Sequence, residues 1–258
     1  MSMFKWIGGI TINDVLTQIK NRKSVRVFED RPIEHETKKE ILNAAFEAPT
    51  AGAMMLYTIL DITDQSLKDK LAVLCDHQPF IAKAPMVLIF LADYQRWYDT
   101  YSYAECNPRK PGEGDILLAA ADALIAAQNT VVAAESMGVG SCYIGDIIEN
   151  CESIQKLLVL PDYVLPVAML VYGFPTESQK NRKKPARFDQ QYIVFENSYK
   201  RLSKEEHEEM HSSFRETSAL APVSFHEAVI DIFNRKYMSD FAKEMNRSAA
   251  EYLKRLRS

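Results

Sequence analysis

At 258 residues, 47% of them apolar and 26% charged, the chain has the make-up of a folded globular protein with a substantial core, which excludes a disordered or fibrous one. A formal net charge of −4 with no long basic block gives no support to a nucleic-acid footprint or to attachment at an anionic membrane, and leaves small-molecule chemistry as the default. The four cysteines, Cys75, Cys106, Cys142 and Cys151, form no CxxC pair and suit reduced thiols in a cytoplasm.

The opening stretch MSMFKWIGGITIND carries too few apolar residues for a secretory signal. Asn13 or Asp14 caps a short helix through Ile19, and RKSVRVFEDRPI (Arg22 to Ile33) reads as an extended basic segment ending at a proline. Helical periodicity runs from Glu34 to Ala48 through Ile41, Leu42, Ala45 and Phe46, and Pro49 stops it. Tyr57 to Ile62 alternates as a strand, a helix follows Asp64, and MVLIFLAD (Met86 to Asp93) is an apolar run of buried-strand length. Residues 94–114, aromatic and then rich in Pro and Gly, read as a loop.

A long helix is expected from Asp115, which suits its cap, to Gly138. Apolar residues occupy nearly every face of it, so neighbours must cover it all round, in the core or at a subunit interface. A membrane span is the competing reading, but Asp122, Gln128, Asn129 and Glu135 interrupt the run too closely for hydrocarbon. Gly138, Gly140 and Gly145 then space a backbone that turns sharply and approaches something closely, a flat ligand being one candidate. A helix near Ser153 to Leu158, a buried strand Val164 to Gly173 and a basic loop Asn181 to Phe188 follow. From about Ser203 the tail is charged and helical, and Tyr237, Phe241, Met245, Ala249, Tyr252 and Leu256 form an apolar stripe that must cover something.

Two basic clusters invite comparison: Arg22, Lys23, Ser24 and Arg26, and Lys183, Lys184 and Arg187. Converging, they make a dianion site, because an arginine fork grips phosphate oxygens bidentately; apart, they are solvated surface charge. HEEMH (His207 to His211) places two imidazoles one helical turn apart with Glu208 as base, the pattern of a zinc hydrolase, yet the dense charge around it suits a solvated helix and the spacing demands no third ligand. Neither GxGxxG, nor GxxxxGK[ST], nor GxSxG occurs. Cys142 has no basic neighbour in sequence and reads as a packing thiol.

RKSVRVF, APTAGAMM, DHQPFIAKAPMVLIFLADYQR, DALIAAQNTVVAAESMGVGSCYIGDIIEN, KLLVLPDYVLPVAMLVYGFP and KPARF...FENSY, in that order over residues 13–202, resemble the FMN-dependent nitroreductase family. The similarity is greatest to its branch of oxygen-insensitive NADPH nitroreductases and flavin reductases of luminous bacteria. The resemblance implies an α+β fold, a three-layer sandwich with a mixed sheet flanked by helices, in an intertwined homodimer. Residues 1–202 would form the FMN-binding domain and 203–258 a helical extension of it wrapping the partner.

By the same resemblance, Arg22, Lys23, Ser24 and Arg26 hold the FMN phosphate, ribityl chain and pyrimidine edge, and Thr50, Ala51 and Gly52 lie beside the ring from the other subunit. Gln78 makes a polar contact to the ring, Tyr143, Ile144, Gly145 and Asp146 run along it, and Arg187 with Lys184 forms a second phosphate clamp. The implied reaction is ping-pong hydride transfer through flavin N5, from NADPH or NADH to a nitroaromatic, quinone or free flavin, with no catalytic side chain and no metal. Lys23 or Arg26 would stabilise the reduced ring. Two departures stand out. Ala53, Met54 and Met55 replace larger or amide side chains, and ETSALAPVSF (Glu216 to Phe225) lacks the arginines that relatives offer to a 2'-phosphate, so NADH is expected to serve comparably. A non-catalytic FMN-binding redox sensor is the alternative.

Overall fold

The apolar pattern folds into alternating helices and strands, described by a computed structural model over residues 5–7 and 10–256. Residues 1–4 and 8–9, part of the stretch searched for a leader, lie outside the described residues. By internal packing the chain divides into two compact units, Met1–Arg182 with Glu244–Ser258, and Lys183–Lys243.

In the larger unit β1 (Lys5–Ile7) pairs antiparallel with β2 (Ile10–Ile12). Asn13 is the cap of α1 (Asp14–Asn21), its side-chain oxygen accepting from the Leu16 N–H at 3.0 Å. Then come α2 (His35–Phe46), β3 (Tyr57–Asp61), α3 (Gln65–Leu74), α4 (Pro79–Lys83) and β4 (Met86–Asp93). They are followed by α5 (Gln95–Tyr103), α6 (Glu113–Ser136), β5 (Gly140–Ile144), a 3-10 turn Gly145–Ile148, α7 (Cys151–Leu158), β6 (Val164–Gly173) and α8 (Glu177–Asn181).

The main sheet has the order β3-β4-β6-β5. Its two faces follow from the two-residue period of the strands. Met86, Leu88 and Phe90 of β4, with Leu170 and Tyr172 of β6, pack on Ile41 and Ala45 of α2 and on the alanines of α6. Val87, Ile89 and Leu91, with Met169 and Val171, pack on Leu71 of α3, Ile81 of α4 and Ile154 of α7. Both faces being covered, β4 is buried along its whole length, which is why its sequence does not alternate. This is the expected three-layer α+β sandwich. All neighbouring strands are antiparallel, however, and the mixed character of the sheet reduces to one parallel bridge, Ser24 to Ser141.

Two further expectations need correction. Residues 95–103 are a helix, not a loop, because its aromatic rings find partners: Trp97 and Tyr101, one turn apart, lie 5.5 Å from each other, and Tyr98 meets the distant Tyr163 at 5.0 Å. Asp115 does not precede α6 but sits in its first turn, accepting from the Gly112 N–H at 2.8 Å. Within the single chain α6 is covered along one face. Ile116, Ala119, Ala123, Ala126, Ala127, Thr130, Val131 and Ala134 are buried, while Leu117, Leu118, Leu124 and Ile125 are exposed. α6 is long and apolar enough to cross a membrane.

In the smaller unit, capping boxes start both α9 (Lys204–Thr217), at Ser203 and Glu206, and α10 (Phe225–Ile232), at Ser224 and Glu227; a π turn, Phe233–Tyr237, follows. α11 (Asp240–Arg255) enters the larger unit at Glu244. There the tail stripe finds part of its cover in its own chain: Tyr252 and Leu256 are buried, and Ser248 Oγ accepts from the Cys151 N–H at 3.0 Å.

Candidate functional site

The extended segment that leaves α1 at Arg22 lies against β5, the last strand of the sheet. Val25 donates its N–H to the Ser141 carbonyl at 2.9 Å, and Phe28 bridges Pro175. Two glycines permit the approach: a Cβ on Gly140 would stand 2.6 Å from the Val25 side chain, and one on Gly173 would stand 2.6 Å from the Phe28 ring. The segment thus covers a sheet edge and fixes which way its side chains alternate. Val25 is buried, while Arg22 and Ser24 are half-buried and Arg26 is exposed.

The end of α8 locks this segment in place. Lys23 Nζ donates to the carbonyls of Lys180 and Arg182 at 2.5 and 2.6 Å, the Arg182 guanidinium donates to the Ser24 carbonyl, and the Arg26 N–H reaches Gln179 Oε1 at 3.3 Å. Lys23 is therefore bound to backbone oxygens. The Arg22 and Arg26 guanidinium groups make no ion pair among the described residues, and that of Arg26 lies 5.9 Å from the centre of the Phe80 ring. Cys142 sits beside Ser24 and Arg26; burial pushes its thiol pKa up and the Arg26 charge pulls it back, so it remains a small buried hydrophobe.

β5 carries the next group of residues. Tyr143 donates its hydroxyl to Gln128 Oε1 of α6 at 3.3 Å, and burial raises its pKa to about 12 against the opposing charge of Arg22. Ile144 points into the core at 2% exposure and has only its backbone to offer a ligand. Gly145 is open, with no atom within 4 Å of the position a Cβ would take. Asp146 Oδ2 accepts from Gln78 Nε2 at 3.0 Å, and the same amide donates to the Cys75 carbonyl at 2.8 Å. Gln78 and the Tyr143–Asp146 turn, far apart in sequence, are thereby brought together.

Thr50, Ala51 and Gly52 occupy a different place, the loop entering β3. Its organiser is Asp122, a carboxylate 3% exposed in the middle of the alanine-rich α6. Asp122 accepts from the Thr50 hydroxyl, from the Ala51 N–H at 3.1 Å and from the Leu56 N–H at 3.2 Å. From α5, Arg96 donates to the Met55 and Tyr57 carbonyls, both at 3.2 Å, and Trp97 Nε1 donates to the Met54 carbonyl at 2.8 Å. Gly52, Ala53 and Met55 all have positive φ, a conformation these clamps impose on two non-glycine residues. Asp122 and Gln128 are six residues apart on α6, about 9 Å along its axis, so within one chain this loop and Tyr143 stand at different levels.

Lys184 and Arg187 belong to the smaller unit, where Lys184 is half-buried and Arg187 Nη1 donates to the carbonyls of Pro185 and Ala186 at 2.9 and 3.0 Å. In that unit the His211 ring lies between Phe188 and Phe225, at 5.4 and 5.5 Å, and burial lowers its pKa, helped by the charge of His207. Sequence reading missed Asp122, Gln179 and Arg182 as organisers. Asp122 had a legible signal, since a carboxylate within DILLAAADALIAA must find donors if the helix is buried; the other two act through geometry that no spacing reveals.

The nitroreductase family model matches residues 19–174. An NADPH-dependent oxidoreductase of Staphylococcus aureus is 30% identical over 188 residues, 72% of this chain and 74% of its own length. An FMN reductase [NAD(P)H] of Bacillus subtilis is 29% identical over 192 residues, 73% of this chain and 75% of its own length. Among solved structures, NfrA2 of B. megaterium superposes with a TM-score of 0.76 at 28% identity, covering 92% of this chain and 98% of that one. The matched residues run from the end of α1 through the basic segment, the Asp122-held loop, Gln78 and the Tyr143–Asp146 turn to the end of the sheet, and the chain belongs to the nitroreductase family.

Proposed function

We propose that the protein is an FMN-dependent NAD(P)H oxidoreductase that reduces nitroaromatics, quinones or free flavin. The observation that carries this reading is the juxtaposition of the basic segment Arg22–Arg26 with the Tyr143–Asp146 turn, inside the family match. The donor set fits a flavin mononucleotide. Arg22 and Arg26, without ion-pair partners among the described residues, suit a phosphate of about two negative charges. The open Gly145 lets backbone reach a planar ring, and Gln78, held by Asp146 and Cys75, offers an oriented amide.

When bound, FMN would supply the redox chemistry, a ping-pong transfer of reducing equivalents between a nicotinamide and an acceptor. The chain's own contribution is positioning and charge. Arg26 is the candidate to stabilise the reduced cofactor, because Lys23 is already shared between two carbonyls. Lys184 and Arg187 are proposed as a second phosphate clamp.

Homodimerisation is part of the same reading, with the Thr50–Gly52 loop of one copy completing the site of the other. Support comes from the bare apolar face of α6, where Leu117 is 70% exposed, and from Val15 and Ile19 of α1, each about half exposed. The tail from residue 203 would add to this contact. Free, buried Cys75, Cys142 and Cys151 support a cytoplasmic setting.

NADH is proposed to serve comparably with NADPH. The only arginine near Glu216–Phe225, Arg215, turns its guanidinium onto the Ala221 carbonyl at 2.6 Å. The test is anaerobic: a yellow protein should bleach with either nucleotide and regain colour with a nitroaromatic, a quinone or FMN. A colourless protein that takes up no FMN refutes the proposal, flavin that no nucleotide bleaches leaves a non-catalytic sensor, and a hundredfold advantage of NADPH refutes the nucleotide reading.

A further inference from the structure

Asp122 is buried in the middle of α6 among alanines, where an apolar side chain would serve the helix at less cost. Among the described residues, the bonds its carboxyl accepts all come from one loop. The Thr50 hydroxyl donates to Oδ2, the Ala51 N–H to Oδ1 at 3.1 Å, and the Leu56 N–H to Oδ2 at 3.2 Å. Thr50 Oγ1 in turn accepts from the Met55 N–H at 2.8 Å. Both ends of the segment 50–56 are thus drawn to a single side chain. Between them the backbone passes through left-handed conformations at Gly52, Ala53 and Met55, with φ of 56°, 57° and 50°. Two of these three residues carry a Cβ that opposes the conformation, so the loop keeps its shape because its ends are tied.

Ala51 and Met54 pack on the small cluster of Leu56, Ala92 and Ala119, while Gly52 and Ala53 at the tip are exposed. Leu117 and Leu118, just before Ala119 on α6, and Leu124 and Ile125, just past Asp122, are exposed as well. We propose that Asp122 is a positioning residue for the flavin site of the other copy in a homodimer: its carboxyl sets the loop whose tip completes that site. This rests on the FMN and dimer reading above. Asparagine at this position keeps the size but turns one acceptor oxygen into an amide NH2 that faces donors, and so frees one end of the loop.

The test is FMN titration of the apoprotein, read by quenching of flavin fluorescence, with sedimentation for the mass and hydrogen exchange at the Ala51 and Leu56 amides. Asp122→Asn should stay dimeric, exchange those amides faster and bind FMN about tenfold more weakly. Thr50→Val, which loses the hydroxyl, should also bind more weakly, and Thr50→Ser, which keeps it, should bind as the wild type does; this pair judges the loop if Asp122→Asn does not fold. Placement in the other copy is read from a mixed dimer, isolated through two affinity tags, with Asp122→Asn (or Thr50→Val) in one chain and Arg22→Ala/Arg26→Ala in the other. If the loop crosses over, both defects fall in one site and the dimer keeps one FMN site of wild-type affinity. Two impaired sites overturn the inference. An Asp122→Asn dimer with wild-type affinity, or Thr50→Val and Thr50→Ser proteins that bind alike, overturns it too while the FMN reading stands. A wild type that takes up no FMN, or whose affinity Arg22→Ala/Arg26→Ala leaves unchanged, refutes that reading, and the inference falls with it.

Discussion

Two buried carboxyls illustrate opposite solutions to one problem, the cost of placing an acid out of water. Asp122 is surrounded by donors, two backbone N–H groups and the Thr50 hydroxyl, all from the loop 50–56. Asp122→Ala should leave these donors unsatisfied and destabilise the fold by about 2–4 kcal/mol, read from the urea midpoint, with Asp122→Asn milder. Glu149 lacks such donors, and burial with acidic neighbours raises its pKa from 4.5 to about 7. The folded state then keeps a proton that the unfolded state releases, so stability falls as pH rises from 4.5 to 7 and is level above, a loss of about 3 kcal/mol. Glu149→Gln escapes it. Its melting temperature should gain on the wild type across that window and keep a constant lead at higher pH.

Among the elements, α5 and α11 act as clamps. α5 grips the loop before β3 through Arg96 and Trp97. Arg96→Ala should cost about 1–2 kcal/mol in a chemical melt, because the Met55 and Tyr57 carbonyls each lose one donor. Hydrogen exchange at Met54–Tyr57 should rise with it. α11 is fixed to α7 through Arg247, whose bonds hold Glu152 and Glu244 at pKa values of about 2. Both pKa values are depressed, so their contribution is complete above about pH 4.5 and is lost as pH falls toward 2. Arg247→Ala should therefore flatten the acid limb of a stability–pH curve below pH 4.5, followed by circular dichroism. An unchanged acid limb would show that the solvent-exposed pair contributes little.

At the scale of the molecule, α6 serves two surfaces. Its alanine face lets the helix lie close on the sheet, and the opposite face leaves Leu117, Leu118, Leu124 and Ile125 in water. If a second copy covers these residues, Leu124→Arg should halve the mass seen by sedimentation and weaken FMN binding at the same time, because the Thr50–Gly52 loop is then withdrawn from the other site. A variant that stays dimeric, or a monomer that binds FMN as tightly as the wild type, would refute the shared-site arrangement.

By itself the sequence determined the elements whose hydrophobic period is strong. Met86–Asp93 and Val164–Gly173 appear as strands with the expected bounds, since a run buried on both faces needs no tertiary context to be read. The motif order also sufficed for the family. Short-range patterns failed where contacts are remote: the aromatic helix at Gln95–Tyr103 is stabilised by Tyr98 against Tyr163 and by the loop it grips, neither of which alters local periodicity. Only the tertiary structure decided that Lys23 binds carbonyls near residue 180, that Gln78 meets Asp146 and that Asp122 holds Thr50, separations of 157, 68 and 72 residues. Composition and spacing fix which way a side chain faces along its own helix or strand, whereas which groups meet across the fold depends on how the layers stack.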